Sequence, residues 1–197
     1  MRKKASYHGG GRGDAQVTRE RLVDAAAELF NTVGYAGTDS NRIARAAGYA
    51  PAMFYKHFED KRAIFLAAYS RWVAVEWEGI REASARGGKA TARRITRRVL
   101  EHHRRWAVFR RSLRALSLND ESVQRFRIAQ RAAQLEVLGK ISGTVGSANR
   151  SALVFTLLAF ERLCDAIADG EAVALGAREG ELVRCLEELV VAVRQPR

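Results

Sequence analysis

The sequence is poor in cysteine and proline, with two of each in 197 residues. Cys164 and Cys185 are too few and too far apart for a disulfide framework or a zinc site, which need more ligands at closer spacing. Both read as buried free thiols on apolar helical faces, in a reducing cytoplasm. One proline is Pro51 and the other is the penultimate residue, so little in the chain opposes long helices. Alternating β-branched runs are missing, while Ala, Arg, Leu and Glu, all strong helix formers, dominate. The longest strongly apolar run, Ala152 to Phe160, is about half a bilayer span. Arg2, Lys3 and Lys4 precede no apolar stretch and do not form a signal peptide. These absences lead to an all-α cytoplasmic protein outside the membrane.

Catalytic signatures are missing too. There is no nucleophile motif, no metal-ligand spacing and no paired acidic cluster, and the acidic residues are expected on helix surfaces. His102 and His103 are adjacent, so on a helix they point about 100° apart and do not share a metal. No metal, no cofactor and no enzymatic activity are expected.

What is abundant is positive charge. The net charge is +12, and it is uneven: residues 81–131 carry 15 basic groups against 4 acidic ones, whereas residues 132–197 carry 7 against 9. An anionic partner is implied. Residues 1–17, with Gly9, Gly10, Gly11 and Gly13 among scattered basic groups, read as a disordered arm. It is either a plain loose terminus or an arm that touches DNA.

From Thr18, a plausible N-cap, Leu22, Ala26, Leu29, Phe30 and Val33 recur at helical spacing and Gly34 ends the pattern. Thr38 can cap a short helix with Ile43, Ala44 and Ala47 inward, and Gly48 breaks it with positive φ. Pro51 suits the first turn of a second short helix that buries Phe54 and Phe58. Asp60 can cap a longer helix carrying Ile64, Phe65, Ala68, Tyr69 and Trp72. Further helices are expected near 89–110, 120–141, 148–169 and 178–194, with Gly143 to Ser147 and Gly170 as punctuation.

Two short helices joined by a glycine turn form a helix-turn-helix at residues 38–58. The second would present Pro51, Ala52, Met53, Tyr55, Lys56 and His57 outward, its N-terminal end toward base edges. Gly34-Tyr35-Ala36-Gly37-Thr38, Ile43-Ala44, Ala47-Gly48, Phe54-Tyr55-Lys56-His57-Phe58 and Lys61, preceded by Ala25-Ala26 and Leu29-Phe30, resemble the DNA-binding domain of the TetR/AcrR family. The resemblance covers about residues 18–66. It implies phosphate contacts from Thr38 and Ser40, with Arg42 beside them on the same short helix. It further implies base approach by Ala52 and Met53, and backbone contacts from Tyr55, His57 and Lys61. Ala50 departs from the family's capping serine, and Met53 from a small or hydroxylated residue.

The same resemblance implies a three-helix DNA-binding domain over residues 18–64, with a larger helical ligand-binding and dimerisation domain over 65–197. Such proteins bind operator DNA as homodimers through their two C-terminal helices. Here Leu153, Leu157, Phe160, Cys164 and Ile167 form one apolar stripe, and Leu182, Leu186, Leu189, Val190 and Val193 another. Trp72, His102, Trp106, Phe109, Phe126, Phe155 and Leu158 are the candidate effector-binding residues. Arginines near these aromatics suit an apolar ligand with an anionic end, or alternatively non-specific phosphate contacts. The expectation is a repressor released from its operator by a small molecule. A ligand-independent regulator or activator is the alternative, and an enzyme a remote third.

Overall fold

The computed structural model describes residues 12–143 and 150–194, and every regular element among them is a helix. No described helix is long and apolar enough to cross a membrane. The chain divides into two compact units that meet at Ala68 and Tyr69.

The first unit holds α1 (Arg12–Val33), α2 (Ser40–Ala46), α3 (Pro51–Tyr55) and the opening turns of α4 (Lys61–Ala85). Helix α1 starts six residues before Thr18, which is therefore not its cap. The Thr18 hydroxyl instead donates to the Asp14 carbonyl at 2.8 Å, satisfying itself inside the helix. So residues 12–17 are helical, and the rest of the expected arm lies outside the described residues. The cap of α2 is likewise shifted by one residue: Asp39 accepts from the Arg42 N–H at 2.8 Å. Thr38 is buried and turned inward, its hydroxyl donating to the Gly34 carbonyl. Helix α3 begins with Ala50 giving no side-chain cap and Pro51 in the first turn, as the sequence suggested.

Leu22, Ala26, Phe30, Ile43, Phe54 and Phe65 form the buried centre of this unit. Its rings are locked edge to face: the Phe65 centroid lies 5.0 Å from Phe30 and 5.2 Å from Tyr35. The turn between α2 and α3 depends on Gly48 at φ 82°, where a side chain is strained even though a Cβ would meet open space.

The second unit holds the rest of α4 with α5 (Thr91–Arg105), α6 (Ala107–Asn119), α7 (Glu121–Ser142), α8 (Arg150–Ala168), α9 (Glu171–Ala174) and α10 (Glu179–Arg194). The single helix expected near 89–110 is two, divided at Trp106 with φ −108° and ψ 25°. Hydrogen bonding nevertheless continues through the joint, from Trp106 N–H to His102 and from Arg110 N–H to Trp106. Asp120 caps α7 by accepting from the N–H groups of Ser122 and Val123, and Gly143 ends it in the left-handed region. The core gathers Ile95, Val99 and Leu100 of α5 against Cys164 and Ile167 of α8 and Leu186 of α10. Cys164 is buried as expected, but Cys185 is exposed, because it occupies the outer face of α10.

Replacing Gly48 by alanine is expected to destabilise the first unit by about 1–2 kcal/mol, the cost of forcing a Cβ into left-handed geometry. A thermal melt followed by circular dichroism measures it.

Candidate nucleic-acid interface and ligand chamber

Helices α2 and α3 form the candidate interface. The Ser40 hydroxyl lies 2.8 Å from the Tyr55 hydroxyl, joining the start of α2 to the end of α3. Tyr55 is 61% exposed, so its ring is available to a partner outside the unit. Ala52 and Lys56 are exposed beside it, while Pro51, Met53 and His57 are half-buried. Arg42 is exposed, and its guanidinium donates to the Gly37 carbonyl at 3.1 Å.

Two nominated residues serve the scaffold. Thr38 is buried, and the Lys61 ammonium donates to the carbonyls of Tyr35 and Thr38, each at 2.9 Å, while lying 4.2 Å from the Tyr35 ring centroid. Lys61 thus ties the turn between α1 and α2 to the start of α4. Arg45, exposed on α2, was not singled out in the sequence. Its signal was an arginine at helical spacing from Asn41 and Arg42 on the face opposite Ile43 and Ala44.

The second unit holds a partly open apolar chamber of about 90 Å³. Trp77 and Ile80 of α4, Val99 of α5, Leu138 of α7, and Leu157 and Phe160 of α8 supply its apolar walls. Its polar lining consists of Glu76, His103, Gln134, Thr156 and Glu161. None of the seven effector candidates nominated from sequence lines it. Trp72, His102, Trp106 and Phe109 instead form a chain of ring contacts with centroids 4.7–6.4 Å apart. Phe126 packs near Tyr69, its ring 6.2 Å away. Phe155 and Leu158 face outward from α8, 64% and 41% exposed.

Behind the chamber lies a buried ionic network that overturns the expectation of acidic residues only on helix surfaces. Arg110, 2% exposed, donates to both carboxylate oxygens of Asp165 and at 2.9 Å to Glu161. Asp165, 4% exposed, also meets Arg114 at 2.7 Å, and Nδ1 of His103 at 3.0 Å. Glu161 is reached by Arg131 and, at 3.4 Å, by Arg127. Asp169 pairs with Arg111 and Arg114. The sequence signal was the spacing of Glu161, Asp165 and Asp169, four apart on one face of an otherwise apolar helix.

Titration follows from this packing. Burial alone would raise the Glu161 carboxyl, but Arg110, Arg131 and Arg127 override it and hold it at about 2. Burial opposes the charge of Asp165 too, and the His103 and Arg110 hydrogen bonds hold it well below the usual carboxylate range. Burial and Arg110 push His103 down, yet its hydrogen bond to Asp165 and the nearby Glu76 carboxylate win and raise it. His102 goes the other way: desolvation lowers it to about 4, so it is neutral at pH 7.

Both carboxyls are depressed on folding, so each adds stability that is complete above its ordinary value; the share of Glu161 is lost as pH falls from 4.5 toward about 2, and that of Asp165 at still lower pH. Urea midpoints measured from pH 7 to pH 2 should fall across that window. Arg110→Ala should cost about 3–5 kcal/mol at pH 7 by stranding Asp165 and Glu161, and should flatten the acid limb.

Comparison with known proteins places this architecture. Residues 22–68 match the family model described as bacterial regulatory proteins, tetR family. Over 52 residues, 26% of the chain and 24% of the relative, the sequence is 40% identical to the HTH-type transcriptional regulator AcrR of Shigella flexneri. Over 65 residues, 33% of the chain and 30% of the relative, it is 35% identical to the HTH-type transcriptional activator FasR of Mycolicibacterium smegmatis. These matches thus span less than a third of either curated relative. A TetR-family regulator from Mesorhizobium loti shares the fold at TM-score 0.68 and 20% identity, over 93% of this chain and 97% of that one. The regulator FadR of Bacillus subtilis, solved with stearoyl-CoA, shares it at TM-score 0.64 and 16% identity, over 89% and 97%. Residues 22–68 thus match a TetR-family DNA-binding domain in sequence, and the chain shares its helical fold with TetR-family regulator structures over nearly its full length.

Proposed function

We propose that this protein is a homodimeric, DNA-binding transcriptional repressor that leaves its operator when a small molecule occupies the apolar chamber. Residues 18–64 form the reading domain and residues 65–197 the effector-binding and dimerisation domain. Ser40, Arg42, Tyr55, Lys56 and His57 meet the DNA backbone, while Ala52 and Met53 approach base edges. Thr38 and Lys61 act by holding the turn before α2 in place. The single observation that carries this reading is the uninterrupted helix α4. It begins with Lys61 under the helix-turn-helix and supplies Glu76, Trp77 and Ile80 to the chamber wall.

The chamber's narrowness suits a population shift. Sites for drug-sized ligands run to about 300–1,000 Å³, so a ligand of that size would select a wider state and disfavour the DNA-bound one. A competent dimer sets its recognition helices about 34–36 Å apart, one turn of DNA. Phe155 and Leu158 on α8 and Val191 on α10 are exposed apolar side chains, and they support pairing through these two helices. The FadR complex with stearoyl-CoA supports an apolar acyl body for the effector. An anionic end, expected from the arginine-rich middle of the chain, finds no Arg or Lys among the described residues lining the chamber.

The test is a gel shift with DNA from the upstream intergenic region of its own gene, beside an unrelated duplex of equal length. Specific retention of the first is expected, with Tyr55→Ala weakening it about tenfold or more, a loss of at least about 1.4 kcal/mol. Tyr55 is exposed, so the variant should melt like the parent. Equal, salt-sensitive binding to both duplexes would sink the specific-repressor reading. A reporter driven by that region decides the sign of regulation, since FasR is named an activator.

A further inference from the structure

The polar groups of the chamber are not equally satisfied. Glu161 is saturated by three arginines, and Nδ1 of His103 makes an aligned bond to Asp165. Glu76 differs. Its side chain is 8% exposed, and Oε1 makes no aligned hydrogen bond although His103 Nε2 lies 3.2 Å away. That approach is an ion-pair distance without hydrogen-bond geometry, and the imidazole charge is divided between two carboxylates. An ionised carboxylate has about four acceptor positions, so Glu76 keeps unused capacity where it borders the cavity.

The walls near it are apolar and aromatic, including Trp77 and Phe160. A buried carboxylate beside indole and phenyl rings is the chemistry that holds an organic ammonium: the ring faces attract the cation and the carboxylate accepts its N–H bonds. Among the described residues no arginine or lysine lines the chamber, and the nearby arginines are turned to carboxylates, with only the Nε groups of Arg127 and Arg131 left unpaired among their buried donors. Arg110, Arg114, Arg127 and Arg131 face Glu161, Asp165 and Asp169, and Arg104 pairs with Glu179. An anion in the chamber would lie against the under-satisfied oxygen of Glu76.

We propose that the chamber recognises hydrophobic amines, with the apolar body between Ile80, Leu138 and Leu157 and the protonated nitrogen donating to Glu76. This rests on the chamber being the effector site, and it names the effector's chemical class. The small cavity favours slender chains.

The test compares octylammonium, octanol and octanoate by isothermal titration calorimetry on the full chain. Octylammonium should bind about tenfold tighter than octanoate, with octanol between them. In Glu76→Gln the amine's advantage over octanol should shrink to about threefold or less. Octanoate binding as well as the amine, or a preference that survives Glu76→Gln, overturns the proposal, as does failure of octylammonium to bind. Should Glu76→Gln not fold, Leu138→Trp fills the chamber and leaves the ionic network intact. It should abolish amine binding, and undiminished binding would equally overturn the assignment. If octylammonium binds as described yet leaves the operator complex intact, the ligand-release reading fails while the chamber assignment stands. If it does not bind while specific operator binding persists, the amine assignment alone fails.

Discussion

The Arg110–Asp165 pair is the interaction on which the second unit depends. Moving a guanidinium and a carboxylate out of water costs several kcal/mol each, and their attraction offsets this only with good geometry and further bonds to the remaining groups. Arg110 meets both conditions, with two contacts to Asp165, a third to Glu161, and its guanidinium carbon 4.8 Å from the Trp72 ring centroid. The planar fork makes this possible, and a lysine there would supply a single point charge. Helices α6 and α8 are thereby pinned, since removal of either partner leaves an uncompensated charge in the interior.

The rest of the polar interior follows from that pair. Asp165 is shared with His103, whose other ring nitrogen points toward Glu76 on α4, so α4, α5, α6 and α8 are joined through one chain of charges. Glu161 extends the chain to Arg127 and Arg131 on α7. The chamber forms where this network meets the aliphatic and aromatic side chains of the same helices. One end is thus polar and rigid, while the walls are held by dispersion and burial. Any change in the spacing of α4 and α8 must deform this ionic chain.

In the first unit the constraint is steric. Helices α1, α3 and α4 meet around Phe30, Phe54 and Phe65, the chain turns into α3 at Gly48, and Lys61 fastens the loop before α2 through two carbonyls. Rigidity there lets α3 hold Tyr55 outward.

What the sequence by itself determined was local. Helical spacing of Leu22, Ala26 and Phe30, the glycines at 34 and 48, and Pro51 at a helix start depend on neighbours within a turn or two, and each appears in the fold as spaced. The motif that resembled TetR-type proteins was legible for the same reason. Cap positions slipped by a residue or more, at Thr18 and Thr38, because a hydroxyl can satisfy itself on a carbonyl one turn back. Only the tertiary structure decided where the charges went. The basic excess of residues 81–131 read as an exposed face or an anion site. Five of its fifteen basic residues, Arg110, Arg111, Arg114, Arg127 and Arg131, instead meet Glu161, Asp165 and Asp169, which lie 30 to 58 residues further along the chain in these pairs. Periodicity along one helix says nothing about such a pairing. The aromatics near His102 were conspicuous in sequence, yet the chamber drew on Trp77, Leu138, Leu157 and Phe160, because a cavity arises where several helices fail to fill the space between them.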